Sequence, residues 1–126
     1  MTKRIVSTPD APAAVGPYSQ AVRAGDLLFI SGQIGIDPAT GKMVEGLENQ
    51  VVRVLDNITA IVEAAGGSRA SIVKTTVLLE SIGDFKAMNA IYSEYFTEEP
   101  PARAAFEVAA LPLGALIEIE AVALIS

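Results

Sequence analysis

The sequence predicts an α+β fold, a mostly antiparallel sheet of six strands with two helices packed on one face. Three observations carry that expectation. Apolar residues between Leu47 and Ala65 recur every three or four positions, the period of one helix face, whereas the segments around them alternate or are rich in β-branched residues. Gly, Pro and Asp punctuate the chain at 25–26, 37–42, 66–67 and 100–101. The resulting order, β-β-β-α-β-α-β-β, groups strands instead of alternating them strictly with helices.

Taken in order, residues 3–7 read as a short strand, followed by the turn-rich TPDAPAAVGP. YSQAVRA and LLFISGQI are extended runs around Gly25-Asp26, the signature of a hairpin. DPATGK (37–42) has turn residues at turn spacing and predicts a surface loop. Val51, Leu55, Ile58, Val62 and Ala65 form the apolar face of a first helix, which Gly66-Gly67 end. SIVKTTVLLE (71–80) reads as a strand. Asp84 is positioned to cap a second helix, in which Phe85, Met88, Tyr92 and Tyr95 share a face before Pro100-Pro101 stop it. Strands over 102–109 and 115–125 then form an expected hairpin around LPLG.

Composition narrows the chemistry. The 126 residues correspond to one domain, 1–126, without linker or repeat, and bury roughly two-thirds of the unfolded surface at this length. Hydrophobic residues make up 51%, which favours association between copies. Nine basic against fifteen acidic residues give a formal charge of -6, and no basic run is present, so a nucleic-acid partner is disfavoured. With no Cys and no His, thiolate nucleophiles, His-activated serines and the common metal sites are excluded. What remains is carboxylates, Arg and Lys, Tyr, hydroxyls and backbone groups. The N-terminal MTKRIVSTPDAPAA lacks a signal peptide's apolar region, and VAALPLGALI (108–117) is broken by Pro and Gly. A cytosolic protein without a membrane partner is expected.

The segment PPARAAFEVAALPLGALIEIE (100–120) places one arginine at the head of an apolar run and two glutamates near its tail. In a strand, Arg103, Ala105 and Glu107 point one way. In a hairpin around LPLG, Arg103 would lie opposite residues 118–121. Two readings follow. One is a cross-strand Arg–Glu pair, worth less than about 1 kcal/mol on a solvated face. The other is a pocket in which Arg103 grips a ligand carboxylate with both arms while a nearby glutamate holds water. GPYSQA (16–21) and ISGQ (30–33) allow similar pairs of readings: Tyr18 as a rim aromatic, Ser31-Gly32 as a bulge or as a close approach to a small ligand. Asn89 interrupts the second helix's apolar character and fits either solvent or a pocket.

APAAVGPYSQA, ISGQIGIDPATG, IVEAAGG, IVKTTVLLESIGDFKAMNAIYSEYF and above all PARAAFEVAAL with IEIEAVAL resemble the Rid family, the reactive-intermediate imine deaminases also called the YjgF group. The resemblance spans nearly the whole chain. It implies a chorismate-mutase-like α+β fold, a homotrimer with clefts between subunits, no cofactor and no metal. It also implies hydrolysis of 2-imino acids and their enamine tautomers to 2-keto acids and ammonia. Carried over by position, Arg103 binds the substrate carboxylate and Glu118 positions the attacking water, with Tyr18, Ser31, Gly32, Asn89 and Ala105 lining the pocket. Glu120 stays structural. Ala105 stands where many members carry Cys, a position whose implied contact is largely through the backbone, so no thiol-dependent property carries over. The alternative is a non-catalytic, carboxylate-binding regulatory or chaperone-like trimer.

Overall fold

The computed structural model describes residues 2–126; Met1, the first residue of the expected domain, lies outside them. In chain order the elements are β1 (Lys3–Val6), β2 (Ala21–Ala24), β3 (Leu27–Gln33), β4 (Ile36–Asp37), β5 (Lys42–Met43), α1 (Leu47–Ala64), β6 (Ile72–Leu79), α2 (Phe85–Tyr95), β7 (Ala102–Glu107) and β8 (Ile117–Leu124). β4 and β5 are a small ribbon around the predicted 37–42 loop. The other six strands form one sheet in the order β1-β2-β3-β8-β6-β7. Its pairings are antiparallel except for β6 with β7.

That exception corrects the expected final hairpin. β7 does not pair with β8. It lies parallel to β6 with Arg103 level with Thr75, while β8 lies on the other side of β6 with Ala121 level with the same threonine. The cause is α2. A helix between two neighbouring strands returns the chain to the end from which it left, so the second strand enters parallel to the first. Residues 108–116 then carry the chain past β6 into the slot between β3 and β6. Arg103 and the glutamates of β8 are therefore separated by a strand, which removes the cross-strand ion pair.

Alternation along β8 separates two environments. Ile117, Ile119, Ala121 and Ala123 are buried, while Glu118, Glu120, Val122 and Leu124 point to the opposite face. The helices cover the first face. α1 buries Val51, Val54, Leu55, Ile58, Ile61 and Val62 there, and α2 adds Met88 and Tyr92. Each large aliphatic side chain so buried contributes about 1.5–3 kcal/mol over leaving it in water. Among the described residues, no helix covers the other face. Ile5, Leu27, Phe29, Phe106 and Leu124 remain 40–57% exposed on it.

The helix ends show where local chemistry acted as expected and where it did not. Gly66 adopts φ +92°, its N–H meets Glu63 O at 3.0 Å, and Gly67 N–H meets Val62 O at 3.0 Å. That closes α1 by the glycine-dependent left-handed turn. Asp84 makes no capping bond, because its backbone is already helical at φ -84°, ψ -3°. A 3-10 turn over Ile82–Asp84 precedes α2 instead, with Ser81 Oγ accepting from Gly83 N–H at 3.3 Å. Two buried amides on α1 clamp the neighbouring loops. Gln50 donates to Val44 O and accepts from Leu116 N–H; Asn57 donates to Ile36 O and accepts from Arg53 Nε. Among the described residues, no helix is long and apolar enough to cross a membrane.

Candidate active site

On the uncovered face, the site begins with a bulge. β3 pairs Ile30 with Ala121 and Gln33 with Ile119, so Ser31 and Gly32 together stand against Glu120 alone. The extra residue bends β3 and brings its backbone against the neighbouring strand's side chains. Gly32 is where they meet. A Cβ built there would collide with the Glu118 carboxylate, whose Cδ would lie 2.9 Å away. Ser31 Oγ donates to Ser19 O at 2.6 Å, and Ser31 N–H to Gln20 O at 3.0 Å, which ties the bulge to the preceding loop.

That loop is anchored by Gln20, only 4% exposed. Its Oε1 accepts from Thr8 N–H at 2.7 Å, and its Nε2 lies 2.7–3.2 Å from the carbonyls of Pro12, Thr8 and Ala11. Two segments that are sequence-distant are thereby fixed to each other, and β2 starts only after the glutamine, at Ala21, rather than at the expected Tyr18. Tyr18 stays half exposed in the turn, where it lines a groove of about 450 Å³ with Ile5, Thr8 and Ser19. Glu118 faces away from the helices on β8. Burial, and secondarily the charge of Glu120, hold its carboxyl above the ordinary range.

Arg103 belongs to the other face. It projects from edge strand β7 towards α2, and its Nη1 donates to Asn89 Oδ1 at 2.6 Å. Its Cζ lies 4.8 Å from the Tyr92 ring centroid and 5.3 Å from that of Phe85. Tyr92 OH is 2.7 Å from Thr75 Oγ1, on the strand beside the arginine. Burial raises the Tyr92 hydroxyl's pKa, opposed by the Thr75 hydrogen bond and the arginine's charge. Ala105 follows on the same face as Arg103, level with Val77 and partly buried.

The predicted residues thus gather in two groups. Ser31, Gly32 and Glu118 converge on the uncovered face, with Tyr18 in the loop leading to them; Asn89, Arg103 and Ala105 converge beside α2. Within one chain the sheet stands between Arg103 and Glu118. Sequence reasoning missed Gln20 and Thr75. Thr75 left a trace as a polar residue at an inward position among Val77 and Leu79. Gln20 left none, since its partners are backbone groups.

Such a fold, with an arginine on the edge strand and a glutamate against a glycine bulge, defines a class of small α+β proteins. Residues 8–125 match the family described as Endoribonuclease L-PSP, and the chain belongs to this family, the Rid group that its motifs resemble. A RutC family protein of Pyrococcus horikoshii is 53% identical over 122 residues, covering 96% of this chain and 97% of its own. The human protein named 2-iminobutanoate/2-iminopropanoate deaminase is 50% identical over 125 residues, covering 98% of this chain and 91% of its own. The crystal structure of RidA from the Antarctic bacterium Psychrobacter sp. PAMC 21119 matches with a TM-score of 0.95 at 48% identity, covering 97% of this chain and 99% of its own.

Proposed function

We propose that the protein hydrolyses reactive 2-imino acids and their enamine tautomers, such as 2-iminopropanoate (2-aminoacrylate) and 2-iminobutanoate, to 2-keto acids and ammonia. The observation that carries this is the state of Arg103. Its neighbours are an amide oxygen and two aromatic faces, none of which cancels its charge. A partly buried guanidinium supported this way retains its full attraction for a carboxylate.

The protonated imine of a 2-imino acid already has an electrophilic carbon, so hydrolysis needs orientation, a base for water and a place for the proton. Arg103 fixes the substrate carboxylate. Glu118 takes a proton from water as the oxygen bonds to C2, giving a tetrahedral amino alcohol. That proton passes to nitrogen; as the C–N bond breaks, the hydroxyl gives up its own proton through Glu118 to the departing ammonia, so the keto acid and ammonium leave. Gly32 leaves room for the Glu118 carboxylate beside the bulge, and Asn89 keeps Arg103 aimed. The sum balances without redox change or group transfer. Charge -6 and the lack of His weigh against RNA cleavage, despite the family's description.

The split of the residues between faces supports a cleft between copies, in which Arg103 of one chain meets Glu118 of the next. A homotrimer closed through the uncovered sheet faces would bury the exposed Phe29, Phe106 and Leu124 and repeat that cleft at each interface. The test generates 2-iminobutanoate with an amino-acid oxidase in the presence of semicarbazide. The protein is expected to divert imine from semicarbazone to 2-oxobutanoate, and Arg103→Ala to abolish the diversion. No diversion by the wild type, or equal diversion by Arg103→Ala, would sink the proposal; carboxylate binding without turnover would point to a regulatory module.

A further inference from the structure

The core beneath Arg103 holds a feature that stability does not explain. Thr75 is 1% exposed and Tyr92 5%, and their hydroxyls bond to each other at 2.7 Å. Their neighbours on the same face include Val77, Leu79 and Met88. Replacing both members of a buried hydrogen-bonded pair by apolar groups of the same shape is nearly neutral or stabilising. A valine at 75 and a phenylalanine at 92 would fill the same space. The hydroxyl pair therefore has another consequence, which is to fix where the tyrosine ring lies.

The ring is held from several sides. Phe96 tilts against it at 43° with centroids 4.7 Å apart, Thr75 holds the hydroxyl, and Arg103 Cζ sits 4.8 Å from the ring centroid. That separation is within the range of attraction between a guanidinium and an aromatic face. Thr75 is also the residue level with Arg103 across the parallel β6–β7 ladder. One hydroxyl therefore links the arginine's own strand register to the orientation of the ring supporting it. Because arginine has many rotamers, a side chain ordered before binding loses less freedom on meeting a carboxylate.

We infer that Thr75 and Tyr92 are positioning residues: their hydroxyl pair locks the Tyr92 ring as a seat that pre-orients Arg103 for the substrate carboxylate. This rests on the deaminase reading for its substrate, but the ordering of Arg103 is measurable without one. Arginine-labelled protein, studied by NMR, reports rotation of the Arg103 guanidinium about its Nε–Cζ bond. Rotation is expected to be slow in the wild type and faster in Thr75→Val, Tyr92→Phe and Tyr92→Leu. Affinity for 2-oxobutanoate, and KM for the imine, are expected to weaken about threefold to tenfold in Tyr92→Leu, the size of one cation–π contact. The effect on kcat should be smaller, because the attack on C2 is served by Glu118.

Unchanged Arg103 rotation and unchanged affinity in folded variants would overturn the inference. If Tyr92→Leu fails to fold, Thr75→Val and Tyr92→Phe decide it, since neither leaves a large cavity. If the wild type neither binds 2-oxobutanoate nor turns over imine, the deaminase reading falls, and slow guanidinium rotation that the variants release still upholds the seat.

Discussion

Glu118 and Glu120 sit two residues apart on one face of β8, yet their surroundings separate them: Glu118 is half-buried and raised, whereas Glu120 is exposed. As the proposed base, Glu118 must be ionised, so turnover is expected to increase with pH through its raised pKa. Stability runs the other way. The unfolded chain releases this proton at lower pH than the folded one, so the group's contribution declines as pH rises from the ordinary carboxylate value to the raised one. Glu118→Gln should remove that limb of the pH–rate profile and lower kcat by about 10²–10⁴. Glu120→Gln should keep activity and move the limb to lower pH, because one repelling charge is gone. Gly32→Ala is expected to displace the Glu118 carboxylate and cost about 10²-fold in kcat, as misplacements near 1 Å do; steady-state kinetics with a melting curve separates this from unfolding. Arg103 and the two glutamates were legible as candidates because charges in an apolar run demand a partner. Which partner was not legible, since that depends on which strand lies beside β7.

At the scale of elements, both helices and the sheet strands were recognisable, because each carries its own period. Pairing was not. The β7–β8 hairpin looked natural from the adjacency of the two runs around LPLG, and the actual arrangement follows from α2 forcing β7 parallel to β6. Residues 8–17 were legible only as turn-rich and 18–20 read as the start of a strand, yet the whole loop is anchored by the buried amide of Gln20. Gln20→Leu preserves bulk but strands Thr8 N–H and several carbonyls, so it should destabilise the protein by about 2–3 kcal/mol. It should also raise proteolytic cleavage within residues 8–19. Chemical denaturation and limited proteolysis would measure the two effects. A Gln20→Leu protein as stable and as protected as wild type would show that the tether is dispensable.

At the scale of the whole molecule, the sheet separates the two halves of the proposed site, which permits a complementation test. Arg103→Ala and Glu118→Gln are each expected to be inactive alone. Refolded together at equal amounts, random trimers should recover about a quarter of the wild-type activity, since one site in four then joins an intact arginine to an intact glutamate from a neighbouring chain. Failure to recover activity in mixed trimers would mean that each site uses a single chain. The 51% hydrophobic content favours association from sequence alone, but which surface is left open is visible only with both helices on one side of the sheet. The position of β8 has a further consequence, for synthesis. The strand that joins β3 to β6 is the last of the six to leave the ribosome. Until it arrives, β3 and β6 each offer an unpaired edge, and the apolar face of α1 has an incomplete floor. Emerging chains therefore cannot complete their sheet progressively, and the interval before β8 inserts is when they are most open to pairing with the wrong strand.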